Sequence, residues 1–168
     1  MLFRSTDNSF FTIVGDGLKI NPSPDFETKS SYSIRVRSTQ EGGAFIEKVL
    51  TITVNDVNDI ASITGNGLAS VYEGTAVDAL GLLTASGSLS ILDQDAGQAF
   101  FSTVVASAPG NLGQLSINQA GNYTYQVSNG LPAIQQLKSG QSLVDTFTVS
   151  SLDGSATKQI SKIGRAHV

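Results

Sequence analysis

The sequence has no cysteine and no tryptophan, and only one methionine, one histidine and four prolines in 168 residues. The absence of cysteine excludes disulfides, thiolate metal centres and thiol nucleophiles together. Charged residues make up only 14% of the chain, against about a quarter in an ordinary domain. The formal net charge is -4. Lysine and arginine are scattered, with Lys29, Arg35 and Arg37 the densest spot, which argues against a nucleic-acid partner. No stretch approaches the ~20 apolar residues that span a membrane. The opening MLFRSTDNSFF lacks an apolar core region and a cleavage-like site, so it does not read as a signal peptide. The signal of a secreted parent is expected upstream. Gly15-Asp16-Gly17 and Gly65-Asn66-Gly67 lack the third glycine and following helix of a dinucleotide fingerprint.

Period-two alternation is abundant, in short runs separated by Gly, Asn, Asp, Ser and Pro. It predicts strands at 9–14, 18–20, 32–36, 49–54, 67–72, 87–92, 99–105, 113–117, 122–127 and 143–149. Gly42-Gly43 and Asp153-Gly154 read as hairpin turns. Leu131, Ile134 and Leu137 recur at helical spacing behind Pro132, predicting one short helix over 131–138. Hydrophobic content of 40% suffices for packed cores. Phe10, Phe11, Ile13, Tyr32, Ile34, Val36, Ile52 and Val54 are expected in one core. Phe100, Phe101, Leu115, Tyr123, Tyr125, Leu137, Phe147 and Val149 are expected in a second. Tyr123 and Tyr125 share a face, as core packing or as a sugar platform. Nothing suggests βαβ crossovers. The pattern predicts an all-β chain of two tandem antiparallel β-sandwich modules, with a break after Asp59.

Residues 163–168, IGRAHV, match one reading frame of a common sequencing adapter, and Lys162 can be encoded by a codon ending in the adapter's preceding AG. These six residues are expected to be a translated adapter tail, which would remove His167, the one histidine.

Two resemblances are carried by the motifs that follow, and together they imply immunoglobulin/cadherin-like modules. Pro24-Asp25-Phe26-Glu27-Thr28, the strand Tyr32-Ser33-Ile34-Arg35-Val36 and the terminal Asp56-Val57-Asn58-Asp59 make residues 1–59 resemble the C-terminal part of a bacterial cadherin-like repeat. The first strands of such a repeat are missing, so this module is expected to be incomplete. Residues 60–162 resemble a VCBS repeat. The matching segments are Val71-Tyr72-Glu73-Gly74-Thr75, Leu92-Asp93-Gln94-Asp95-Ala96-Gly97, Gly121-Asn122-Tyr123-Thr124-Tyr125 and Asp145-Thr146-Phe147-Thr148-Val149.

The cadherin-like resemblance implies calcium, a hard cation that takes six to eight oxygen ligands. Carried over residue by residue, it implies Asp25, Glu27, Asp56, Asn58 and Asp59 as ligands, with Glu73 lent back by the following module. Gln40 stands where the family has an aspartate, which implies one or two ions. The same residues also read as plain turn and linker residues. Asp93-Gln94-Asp95-Ala96-Gly97 reads as an acidic turn or a second ion loop, and Asp153 as a hairpin residue. No catalytic constellation can be assembled, so the chain is not expected to be an enzyme; a two-carboxylate glycosidase fits poorly because the acids sit in turns. The implied function is a calcium-binding structural module of a large secreted or cell-surface protein, in adhesion or as a stalk. It would be extracellular, beside neighbouring repeats, with an unknown protein or glycan partner. The alternative is an ion-independent spacer or an accessory binding region of a large secreted enzyme.

Overall fold

The computed structural model describes residues 2–3 and 5–165. The chain divides into two units, Met1–Asn58 and Asp59–Val168. The fold is all-β, as the alternation predicts. Ala166, His167 and Val168 of the expected adapter tail lie outside the described residues, whereas Ile163–Arg165 belong to a strand.

The first unit contains β1 (Leu2–Phe3), β2 (Phe11–Val14), β3 (Gly17–Ile20), β4 (Ser31–Thr39) and β5 (Phe45–Thr53). A three-stranded sheet has the order β1-β4-β5, and β2-β3 forms a separate hairpin. β4 and β5 pair antiparallel over nine positions, from Ser31 with Thr53 to Thr39 with Phe45. Their turn uses Gly42 and Gly43 at φ +100° and +90°, a region that side chains disfavour. The core is small: Phe11, Tyr32 and Ile34 are buried, with Ile20, Val36, Leu50, Ile52 and Val54 packed against them. Phe10 and Ile13 are instead 37% and 41% exposed. Phe10 lies in the 3-10 turn Asn8–Phe10, and Ile13 lies in β2, where only Phe11 is buried. Asp7 anchors that turn: its carboxylate accepts Ser33 N–H (2.7 Å) and pairs with Lys29 Nζ (3.0 Å). These two contacts, the Ser33 bond first, hold its carboxyl below the usual range.

The second unit contains β6 (Ser62–Thr64), β7 (Leu68–Tyr72), β8 (Leu82–Ser88), β9 (Ser90–Leu92), β10 (Ala106–Ser107), β11 (Gln114–Ile117), β12 (Asn122–Ser128), α1 (Pro132–Gln135), β13 (Ser142–Ser150) and β14 (Thr157–Arg165). One sheet has the order β10-β13-β14-β7, another β11-β12-β8, and β6 pairs with β9. All pairs in this unit are antiparallel except β7 on β14, which is parallel. Phe147, Val149 and Ile160 from the first sheet meet Leu83, Leu115, Ile117, Tyr123, Tyr125 and Val127 from the second in one core. This is a sandwich, with alternate residues inward along each strand. Tyr123 and Tyr125 are both 3% exposed, so their shared face is the core and not a sugar platform.

Three local expectations change. The run at 87–92 is two strands: β8 pairs with β12, β9 pairs with β6, and the chain changes partner at Leu89, whose N–H donates to Gly121 O (3.0 Å). The run at 99–105 forms only an isolated bridge at Phe101, and Phe100 is 44% exposed. The helix is a single turn, Pro132–Gln135, with Ile134 as its buried anchor.

Lys162 is 1% exposed, and its Nζ has no hydrogen-bond partner. The ammonium lies 4.5 Å from the Tyr123 ring centroid, a cation–π contact that offsets part of the desolvation cost. Burial lowers its pKa from 10.5. Lys162→Met is therefore expected to raise stability by about 1–3 kcal/mol at pH 7 in chemical denaturation. Unfolded chains keep the lysine proton up to about 10.5, whereas the folded chain releases it earlier. Wild-type stability should thus rise with pH between the lowered value and 10.5, and the variant should lack this rise.

Candidate ion site and acidic ends of the two units

In the first unit the turn before β4 positions Asp25 and Glu27. Asp25 Oδ1 accepts Thr28 N–H (3.0 Å), its Oδ2 accepts Thr28 Oγ1 (2.9 Å), and its carbonyl accepts Lys29 N–H (2.9 Å). The Thr28 amide and then its hydroxyl hold the exposed Asp25 carboxyl below its usual value. Ser30 O accepts Val54 N–H (2.9 Å), and Ser31 pairs with Thr53. The turn and the segment leaving β5 therefore lie at one end of this unit, with Asp25, Glu27, Asp56 and Asn58 all exposed there.

Gln40 is elsewhere. It closes the β4–β5 turn, where its N–H donates to Ala44 O (2.8 Å) and its carbonyl accepts Gly43 N–H (3.0 Å). Nine residues of strand at about 3.3 Å each separate it from the Asp56 end. Its replacement of an aspartate removes no ligand from that end.

The second unit begins with a tighter arrangement. Ser62 pairs with Leu92, so the segments preceding β6 and following β9 leave side by side. Asp59 N–H donates to Asp95 Oδ2 (2.8 Å), and Asp95 N–H donates to Asp93 Oδ1 (2.9 Å). Asp95 is 4% exposed. Its Oδ1, together with Asp93 Oδ2, is buried without a hydrogen-bond partner. A buried carboxylate oxygen left unpaired is costly, and such groups in folded proteins ordinarily pair or coordinate a cation. Two hard anionic oxygens held by short backbone loops suit calcium. Ala61 N–H donates to Ser155 Oγ (2.9 Å), which ties the entering chain to the β13–β14 turn that carries Asp153.

Glu73 is not brought to this group. It follows β7, beside Gly74, whose N–H donates to Asn129 Oδ1 (2.9 Å). β7 runs parallel to β14 and pairs Tyr72 with Arg165, the far end of β14 from the Ser151–Ala156 turn. Glu73 thus lies at the opposite end of the unit from Asp59. Of the residues the resemblance implied, the second unit joins Asp59 to Asp93 and Asp95, and the first gathers Asp25, Glu27, Asp56 and Asn58. The Asp-x-Asp-x-Gly spacing was the available signal for Asp93 and Asp95. Their burial was not legible, because Asp59 is 36 residues away in sequence.

A sandwich whose last strand, β14, carries parallel β7, with carboxylates at the ends of each unit, is a cadherin-like arrangement. Solved structures agree. The chain is similar to a protocadherin gammaB7 EC3-6 cis-dimer structure, at a TM-score of 0.60 and 16% identity over 99% of this chain and 40% of that one. It is similar to PcdhgB3 EC1-4, at 0.60 and 15% over 100% of this chain and 40% of that one. It is also similar to human protocadherin-24 EC1-2, at 0.58 and 15% over 98% of this chain and 79% of that one. The chain therefore spans two fifths of the length of the first two. No protein-family model and no curated protein matches it.

Proposed function

We propose that the chain is a non-enzymatic structural segment of a secreted or cell-surface protein, of the adhesion or stalk type, and that it binds calcium. The observation that carries this reading is the pair of buried, unpartnered oxygens on Asp93 and Asp95 beside the Asp59 backbone. Asp25, Glu27, Asp56 and Asn58 are proposed as oxygen donors at their end of the first unit. Glu73 would serve a separate position at the far end of the second. The bacterial surface setting, the VCBS character of residues 60–162, the neighbouring repeats, and a protein or glycan partner belong to the same proposal and rest on the sequence motifs. The ion-independent spacer reading is favoured at one place, Asp25, whose two carboxylate oxygens are already committed to Thr28.

Thermal unfolding and isothermal titration with calcium chloride test the reading. A ligand that binds only the folded state stabilises it, by about 2.7 kcal/mol at one hundred times its Kd. Wild type is expected to gain Tm on adding calcium, magnesium is expected to do less, and Asp95→Asn is expected to abolish the gain. A wild-type chain with no heat of binding and no Tm shift at millimolar calcium would end the calcium proposal.

A further inference from the structure

The pattern Asn-x-Ser/Thr, with x other than proline, is the acceptor signal for N-linked glycosylation. Among the asparagines of this chain, Asn122 alone stands in it, as Asn122-Tyr123-Thr124. Asn21-Pro22-Ser23 has the excluded proline. A tripeptide recurs by chance, and its place in the fold decides whether a sugar fits.

This tripeptide opens β12, the central strand of the sheet β11-β12-β8. Successive strand residues face opposite sides. Tyr123 points into the core, where it is 3% exposed, so Asn122 and Thr124 both point outward. Asn122 is exposed and Thr124 half-buried. The Asn122 backbone closes the β11–β12 turn: its N–H donates to Asn118 Oδ1 (3.0 Å), and its carbonyl accepts Asn118 N–H (3.0 Å). Among the described residues its side-chain amide makes no hydrogen bond. A group attached at Nδ2 therefore displaces no contact of the folded unit.

The surroundings suit a sugar. Asn122 lies opposite Ser88, and Thr124 lies between Ser86 and Ser116. Those three serines are exposed, as are Thr84 and Gln126 on the same face. β8, β11 and β12 contain no lysine, arginine, aspartate or glutamate. A glycan over this face meets hydroxyls and amides that hydrogen-bond, and it desolvates no charge. Glycans are bulky and solubilising, and they stand on exposed surface of this kind.

We infer that Asn122 is the acceptor of an N-linked glycan, which stands over the uncharged outer face of the β11-β12-β8 sheet. The donor is a phosphate-activated oligosaccharide of the secretory route. Asn122 Nδ2 bonds to the anomeric carbon of the sugar and gives up one proton. The bond from that carbon to the phosphate oxygen breaks, and the phosphate leaves with its electron pair. Tyr123 pairs with Ile117 on one side and Gly87 on the other, so the folded strand offers no free backbone to a transferase. Transfer therefore precedes the joining of β12 to its neighbours. The inference rests on the secreted or cell-surface setting proposed above, and not on calcium.

The test is the whole chain secreted from cultured insect cells behind an added cleavable signal. Intact mass is expected to show one glycan on the wild type. Enzymatic release at the asparagine amide converts the acceptor to aspartate, and peptide mapping should find that change at position 122 alone. Asn122→Gln should carry no glycan. Thr124→Ala should lose at least tenfold in occupancy, and Thr124→Ser, which keeps the hydroxyl, should remain modified. Unglycosylated wild type, a glycan that persists in Asn122→Gln, or full occupancy in Thr124→Ala would each overturn the inference. The added signal places the chain on the route whatever its natural setting. A failure here therefore counts against the acceptor, whereas a failed calcium titration counts against the function proposed above.

Discussion

Asp145→Ala is expected to destabilise the second unit by about 3–5 kcal/mol, the range for leaving the partners of a buried charge unpaired. Asp145 is 4% exposed. Its Oδ1 accepts Leu112 N–H (2.9 Å), and its Oδ2 accepts both Gly113 N–H (2.7 Å) and Tyr125 O–H (2.8 Å). One carboxylate on β13 thus fastens the loop entering β11 and the tyrosine at the centre of β12. Gly113 must be glycine for this approach, because an added Cβ would lie 2.4 Å from the Tyr125 ring. A loss of this size is a large share of the roughly 5–15 kcal/mol that holds a domain folded. Chemical denaturation would read it as a lower midpoint with an unchanged slope. Tyr125→Phe removes one of the three bonds and should cost about 1–2 kcal/mol.

The same contact sets an alkaline limit. Burial, and then the Asp145 bond, raise the Tyr125 phenol well above its ordinary value of 10. The unfolded chain ionises this tyrosine near pH 10 and the folded chain does not. The contribution is therefore intact below pH 10 and lost as pH rises above it. Between pH 10 and 11 the Tyr125→Phe variant should lose less stability per pH unit than wild type. An equal slope would show that Tyr125 does not govern the window.

Gly121→Ala is the second large effect, expected at about 2–5 kcal/mol. Gly121 has φ +85°, and its added Cβ would lie 2.2 Å from Leu89 O and 2.7 Å from the Phe101 ring. The left-handed conformation costs an alanine roughly 1–2 kcal/mol, and forcing atoms into a packed core adds about 1–3 kcal/mol. Gly154→Ala separates the two causes. Gly154 has φ +79° with nothing near its Cβ position, so only the conformational cost of roughly 1–2 kcal/mol applies. Leu89 immediately precedes β9, which carries the chain into Asp93 and Asp95. Pushing Leu89 aside should therefore also weaken calcium binding in Gly121→Ala, and Gly154→Ala should bind as wild type does. Titration of both variants, at a temperature where each is folded, checks this. Equal affinities would mean that Asp93 and Asp95 are positioned independently of the Leu89–Gly121 contact.

Much of the fold is legible in the chain itself. Alternation at Tyr32, Ile34 and Val36, and at Tyr123, Tyr125 and Val127, fixes which face is buried, because side chains in a strand point to opposite sides in turn. Glycine pairs and Asp-Gly mark hairpins because they tolerate positive φ. The same local rules fail where a neighbour decides. Phe10 leaves the alternation because Asn8–Phe10 forms a 3-10 turn, and Ile13 stays 41% exposed although alternation puts it on the same face as buried Phe11. The run at 87–92 hides a change of sheet at Leu89 that depends on Gly121, and Lys162 is buried although charge alone would place it outside.

The opening absences were decisive from sequence alone. A chain without cysteine has no disulfide or thiolate site at any geometry, so no covalent cross-link contributes to its stability. Carboxylates were equally visible as residues, but their grouping was not. Asp59, Asp93 and Asp95 meet because β6 pairs with β9, whereas Glu73 is carried to the other end by β7 and Gln40 to the far turn of the first unit. A ligand set is defined by which strand ends coincide. Strand pairing joins residues distant in sequence, so only the tertiary structure decides it.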